Sequence, residues 1–235
     1  MSEPWFSAPP HLLTGDLADD LREIDSPTIA NAIETFELRD RTAGYVGGNV
    51  RALFDDYDEA MLGHALTVKM SNAAGEVTGR EGYWRLWEAL EQMPTPSVIV
   101  VQDVSGAPER YACAGEVMAT MAQRLGAVGM VTDGGLRDLK EVRALGFHYY
   151  ARFPVVSHSN FEIVEVGGEI ELDGERIRTG DLLHGDANGI SVIPPGCLDG
   201  LVDAVEKIRE REGKLMKFIR SRDFNLADAK AGRGY

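Results

Sequence analysis

The spacing of apolar positions changes several times along the chain, and each change marks an element. Ser26-Pro27 offers a helix N-cap followed by proline at the first helical position, and Ile29, Ala30, Ile33 and Phe36 then recur at helical spacing. Residues 39–58 are Gly-rich and acidic with little periodicity, a loop ahead of a strand predicted over 65–70. Helical period returns over 81–92, where Trp84, Leu86, Trp87 and Leu90 fall largely on one face, and 97–102 is the short β-branched run of a buried strand. A helix over 115–125, a strand over 127–132 and a short helix over 139–145 that stops at Gly146 continue the alternation. This order of elements predicts an α/β fold.

Past Phe153-Pro154 the pattern becomes antiparallel β. Residues 162–166 alternate, Gly167-Gly168 turns, and 169–172 and Ile177 flank the Asp173-Gly174 turn. Residues 180–186 lead through Gly189 into a further strand at 190–193, and 198–218 form a charged amphipathic helix. The chain therefore divides into a helical and loop extension packed on the core (1–60), an α/β core (61–220) and a polar, mobile tail (221–235).

Composition narrows the function classes. The chain has 235 residues, 44% hydrophobic and 26% charged, which suits one compact domain. No apolar run approaches the roughly 18 residues of a membrane span. Residues 1–10 lack the basic and apolar segments of a secretory signal, and the two cysteines, Cys113 and Cys197, have no zinc-ligand spacing, so a reducing cytoplasm is expected. A net charge of −14 argues against nucleic acid as a partner. It would repel an anionic substrate as well, so a site for one must build its own positive field from Arg, a metal or oriented N–H groups.

Two segments answer that demand. In Val131-Thr132-Asp133-Gly134-Gly135-Leu136-Arg137-Asp138 an apolar strand empties into a double-glycine turn that gives the backbone room to approach a ligand, with Arg137 able to fork onto a carboxylate and Asp138 able to hold a hard cation. Asp138 also reads as a simple helix cap with Arg137 as a surface ion-pair partner. Gly115-Glu116-Val117-Met118 opens a helix, whose free N–H groups favour an anion. On successive βα units, the two segments face one crevice.

The spacing of Glu116 to Arg137-Asp138, with the wording GEVMATMAQRLGAVGMVTDGGLRDLKEVRALGFHYYAR and GDLLHGDANGISVIP, resembles the class II 4-hydroxy-4-methyl-2-oxoglutarate aldolases and their relatives, the family also named for the RraA regulator of ribonuclease E. The resemblance is clear over 98–194 and looser over 1–60. It implies a swivelling-domain-like α-β-β-α sandwich with mixed sheets, assembled as a homotrimer or homohexamer with sites between subunits. It implies further that Gly115, Glu116, Val117 and Met118 bind substrate, that Arg137 binds a 2-oxo acid, and that Asp138 ligates Mg²⁺ or Mn²⁺. Glu116 stands where those aldolases have Asp and would hold a water of that ion. A glutamate of the neighbour's C-terminal helix would complete the site, with Glu212 the choice and Glu210 the reserve, although both also suit a solvated helix face.

The expected activity is divalent-metal-dependent carbon–carbon cleavage of a 2-oxo acid, retro-aldol or decarboxylation, through a pyruvate enolate that needs a Lewis acid and a cationic donor. A dehydratase or aldolase of sugar-derived 2-keto-3-deoxy acids, and a protein-binding regulator, are the alternatives. Lys69 is the strand lysine a Schiff-base aldolase would use, but its alternation with Val68 and Met70 points it to solvent. His148, His158 and His184 lack the spacing of a zinc hydrolase and read as ordinary polar residues. Tyr83, Trp84 and Trp87 read as core, in a segment that, like Asp40-Arg41-Thr42, departs from the family wording and so bears on substrate choice.

Overall fold

A computed structural model describes residues 13–72, 81–158 and 160–231. Helices α1 (Gly15–Arg22) and α2 (Ser26–Glu34) open the described chain, followed by the short β1 (Arg51–Ala52) and the long β2 (Met61–Asn72). The α/β alternation follows as α3 (Glu81–Glu91), β3 (Ser97–Asp103), β4 (Ala112–Ala114), α4 (Glu116–Arg124), β5 (Ala127–Thr132), β6 (Gly135–Leu136), α5 (Leu139–Ala144), β7 (His148–Ala151) and β8 (Phe153–Pro154). The antiparallel part comprises β9 (Phe161–Val166), β10 (Glu169–Leu172), β11 (Glu175–Arg178), β12 (Leu182–Asp186) and β13 (Gly189–Ile193), and α6 (Leu201–Ile219) and α7 (Leu226–Lys230) close it.

The principal sheet runs β1-β7-β5-β3-β2-β12-β13, with β9 also on β2. The β7, β5, β3 and β2 strands are parallel; β1, β9, β12 and β13 join antiparallel. β2 is the spine of this sheet. One of its edges pairs with β3, and the other takes β12 at Met61–His64 and β9 at Val68–Asn72. Strands β4, β6 and β8 form a separate small parallel sheet, and β10 and β11 a hairpin.

Period-two alternation divides the principal sheet between two cores. Leu66, Val68, Ile99, Val101, Met130 and Tyr149 face α3, α4 and α5, whereas Ala65, Val98, Val100, Val131 and Tyr150 face the β10–β11 hairpin. A third apolar cluster joins α1, α2 and α6 to Leu62, Leu182 and Ile193. The mixed α/β architecture expected from the sequence is the one observed.

Several boundaries differ from the sequence reading, β2 among them, which spans Met61–Asn72 where 65–70 was expected. The N-cap of α2 is Asp25, whose Oδ1 accepts from Thr28 N at 2.9 Å, while Ser26 is the first helical residue and turns its Oγ to His184 Nδ1, also 2.9 Å away. Helix α6 begins at Leu201 because Pro195–Gly200 forms a tighter 3₁₀ turn first. The segment after 221 carries α7, with the Phe224 ring against Phe218 at 5.6 Å.

Candidate functional site

The site is built where the small sheet meets the start of α4. Parallel pairing of β4 with β6 carries Arg137 beside α4, and its backbone N–H donates to the Ala114 carbonyl at 3.1 Å. Asp138 follows in a left-handed conformation (φ 59°) at the N-terminus of α5, yet its side chain does not cap that helix. Its Oδ2 instead accepts from Glu116 N at 2.9 Å, so it closes the N-terminus of α4, and Arg137 Nε lies 3.5 Å from the same oxygen. Asp138 is thus the N-cap residue of α5 by position, while its side chain serves α4.

Gly115 makes this arrangement possible. As the N-cap residue of α4 it has no side chain to satisfy the helix, and a Cβ there would collide with Asp138 Oδ2. The double glycine of the turn has a different use. Gly135 lies in β6, where a Cβ would fall 2.5 Å from Val155 Cγ1 and 3.0 Å from the Tyr111 carbonyl. It serves the packing of the small sheet, and neither it nor Gly134 lines the cavity described next.

A cavity of about 800 Å³ opens beside α4, with Gly115, Val117, Met118 and Arg137 in its wall. The other side comes from α3 and β9: Tyr83, Arg85, Phe161 and Ile163, with His158 and Asn160 from the segment before β9. Two arginines therefore supply positive charge inside an acidic protein, facing Glu81 and Glu162 in the same wall. Glu116 and Asp138 do not line the cavity; the first is exposed, the second has a side chain 35% exposed, and they meet through the backbone bond above. Glu212 and Glu210 lie on the exposed end of α6, away from this wall in their own chain, and Glu210 pairs with Lys214 at 2.6 Å.

The remaining candidates separate cleanly. Lys69 Nζ binds Glu165 Oε2 at 2.7 Å across the β2–β9 pair. His184 is buried with both ring nitrogens engaged, by Ser26 Oγ and the Leu21 carbonyl, and burial holds its pKa below the usual histidine range. Burial pushes His148 down to about 4. Trp87 is core, Trp84 is half exposed, and Tyr83 borders the cavity while touching both indoles edge-on. Arg85, Phe161 and Ile163 were not singled out from the sequence, and His158 was read there as an ordinary polar residue, since only pairing across the sheet brings β9 and α3 beside α4.

Beneath the turn, burial pushes the Asp133 carboxyl up to about 6, against the pull of the Asp103 N–H that it accepts at 2.7 Å. Cys113, in the floor of the cavity, is pushed up to about 12 by burial and is no ready nucleophile. For a metal, Asp138 offers Oδ1, which accepts no hydrogen bond among the described residues, and no group of three or more His, Cys, Asp or Glu gathers among them. One carboxylate on a solvent-facing edge suits an ion that keeps most of its water, as Mg²⁺ does, rather than an all-protein zinc or calcium cage.

A family model described as RraA-like (Aldolase/RraA) matches residues 16–192. A Halalkalibacterium halodurans protein with the provisional name 4-hydroxy-4-methyl-2-oxoglutarate aldolase is 35% identical over 114 residues, which cover 48% of this chain and 54% of that one. The chain thus spans about half the length of this curated relative. An uncharacterized Pseudomonas syringae protein shares the fold at TM-score 0.73 and 20% identity, over 96% of this chain and 99% of that one. Streptomyces coelicolor RraAS2, titled an unusual member of the RNase ES inhibitor RraA protein family, does so at TM-score 0.69 and 22% identity, over 88% and 99%. No helix of the described residues is long and apolar enough to cross a membrane.

Proposed function

The chain belongs to the RraA-like family, and from that premise we propose that it is a divalent-metal-dependent carbon–carbon lyase of 2-oxo acids. The observation that carries this reading is the joint placement of Arg137 and the first turn of α4, at Val117 and Met118, on one cavity, with Asp138 held against Glu116 N at the same helix end. Arg137 and the α4 N–H groups bind the 2-oxo carboxylate and the oxygen that becomes negative as the bond breaks. Asp138 holds Mg²⁺ or Mn²⁺, which supplies Lewis acidity to that oxygen when bound.

In the retro-aldol direction the substrate hydroxyl gives up its proton, the adjacent carbon–carbon bond breaks, and its electron pair enters the pyruvate enolate. The enolate then takes a proton on carbon to become pyruvate. We assign the movement of that proton, through an intervening water, to Glu116, which is exposed in the first turn of α4. From oxaloacetate the same enolate forms as carbon dioxide leaves. A second copy of the chain, in a homotrimer or homohexamer, contributes Glu212 from α6 to the site, with Glu210 tied to Lys214 as the poorer candidate.

The test is pyruvate release from oxaloacetate with Mg²⁺ or Mn²⁺. EDTA should abolish it, and Arg137→Ala and Asp138→Ala should each lower kcat/KM by about 100-fold or more, near 3 kcal/mol of barrier. Inactivity across branched and sugar-derived 2-oxo acids would overturn the reading and leave a protein-binding regulator as the better one, whereas full activity in both variants would overturn the assignment of the site.

A further inference from the structure

The cavity wall opposite Arg137 is closely built and carries aromatic rings. In the first turn of α3, Gly82 meets β9 with no side chain between them: a Cβ there would fall 2.5 Å from the Ile163 carbonyl, so a larger residue would force the two elements apart. That approach sets Tyr83 in the same wall as Phe161 and Ile163. The Tyr83 ring is gripped edge-on by Trp84 (centroids 5.7 Å, interplanar 80°) and by Trp87 (5.3 Å, 88°), and Trp87 is itself buried in the core. It is therefore a fixed surface that a ligand uses at little cost in ordering.

On the α4 side Val117 and Met118 continue the apolar lining, and Val117 is left 76% exposed there. Charge sorts the two sides. Arg137 stands by α4 with no carboxylate in the lining beside it, whereas the α3–β9 side sets Arg85 against both Glu81 and Glu162. An anionic group is drawn to Arg137 and gains nothing at the far wall. Size points the same way. Allowing each non-hydrogen atom of a pyruvate unit the roughly 30 Å³ that a water molecule takes in the liquid, the unit fills about 180 Å³, under a quarter of the 800 Å³ cavity. The remainder is bounded by Tyr83, Phe161 and Ile163.

We propose that the α3–β9 wall is a subsite for a planar apolar group, with Tyr83 and Phe161 as specificity-determining residues, and that the preferred substrate is a 4-hydroxy-2-oxo acid bearing an aryl group on C4 in place of a second carboxylate. The oxo-acid end of this substrate rests on the function proposed above, whereas the apolar subsite rests on the wall itself. In cleavage the C4 hydroxyl gives up its proton, the C3–C4 bond breaks, C4 leaves as an aryl aldehyde, and the electron pair stays on C3 as the pyruvate enolate until a proton returns. Tyr83 lies in the segment where this chain departs from the family wording.

Substrates that differ only at C4 make the test: 4-hydroxy-2-oxo-4-phenylbutanoate, 4-hydroxy-2-oxopentanoate and 4-hydroxy-2-oxoglutarate carry phenyl, methyl and carboxylate there. With Mg²⁺, wild type should release pyruvate from the phenyl compound with kcat/KM about tenfold or more above the other two. Tyr83→Leu and Phe161→Leu keep an apolar side chain for the core and remove the ring, and each should cut the phenyl-to-methyl ratio about fivefold. Calorimetry of phenylpyruvate against pyruvate reads the subsite without turnover, and phenylpyruvate should bind wild type about tenfold tighter and lose that margin in the variants. Preference for the methyl or carboxylate compound, or a phenyl-to-methyl ratio unchanged in both variants, would overturn the inference. If wild type favours phenylpyruvate in binding yet cleaves none of the substrates, the lyase reading fails and the subsite stands. If it cleaves all of them equally well, the lyase reading stands and the subsite fails.

Discussion

The two ends of the principal sheet treat buried polar groups in opposite ways. Where α1 and α2 clasp β12, every polar group of note is matched: His184 takes Ser26 Oγ and the Leu21 carbonyl at 2.9 Å each, and Asp186 Oδ2 accepts Ser26 N at 2.8 Å. At the cavity the reverse holds, with Arg137 Nε buried and without a hydrogen-bond partner among the described residues. Satisfied networks make a unique, rigid join, and unsatisfied ones cost stability that only a ligand or a shared function returns. The clasp is built to hold and the cavity wall to receive.

Gly115→Ala should break the comparison most sharply. The added Cβ pushes Asp138 Oδ2 off the α4 N-terminus, and because that oxygen ends a movable side chain, the fold yields cheaply. Activity on a 2-oxo acid should fall about 100-fold, as for misplaced catalytic groups generally, with little change in Tm. The mirror experiment is His184→Ala, which strands Ser26 and the Leu21 carbonyl and leaves a cavity. It should cost about 2–3 kcal/mol in denaturant unfolding and leave kcat/KM within about twofold, and lost activity in a protein of normal stability would refute the division of labour.

Acid provides the smallest and finest probe. His148, on the clasp side, has its pKa lowered to about 4, so its neutral form favours folding fully above the ordinary histidine value, and that support drains as pH falls from about 6.5 toward 4. Asp133, under the cavity, has its pKa raised to about 6, so it favours folding when protonated, and its support is lost as pH rises from about 4 to 6. Between pH 7 and 5 the two oppose each other by about 1–2 kcal/mol each. Stability measured over that range should decline more steeply in Asp133→Asn and more gently in His148→Phe. Parallel curves for the three proteins would show that neither group is coupled to folding.

The sequence disclosed what depends on neighbours a few residues away. The bounds of β5, the start of α4 at Gly115 and the end of α5 before Gly146 follow from local period and glycine chemistry, and Arg137 and Gly115 do share one wall as two successive βα units require. Pairing over long separations was hidden. The strands of the small sheet are two or three residues long and carry no period. His158 and Phe161 reach the cavity only because β9 folds back on β2, and Ser26 was mistaken for a cap because its true partner, His184, lies 158 residues away.

The double engagement of one edge of β2 has a kinetic consequence. Its partners β12 and β9 are made roughly a hundred residues later, and both must find the same strand in register. Until they dock, that edge is an open template for any other extended chain, so the nascent protein carries its greatest risk of misassembly along the strand that later unites clasp and cavity.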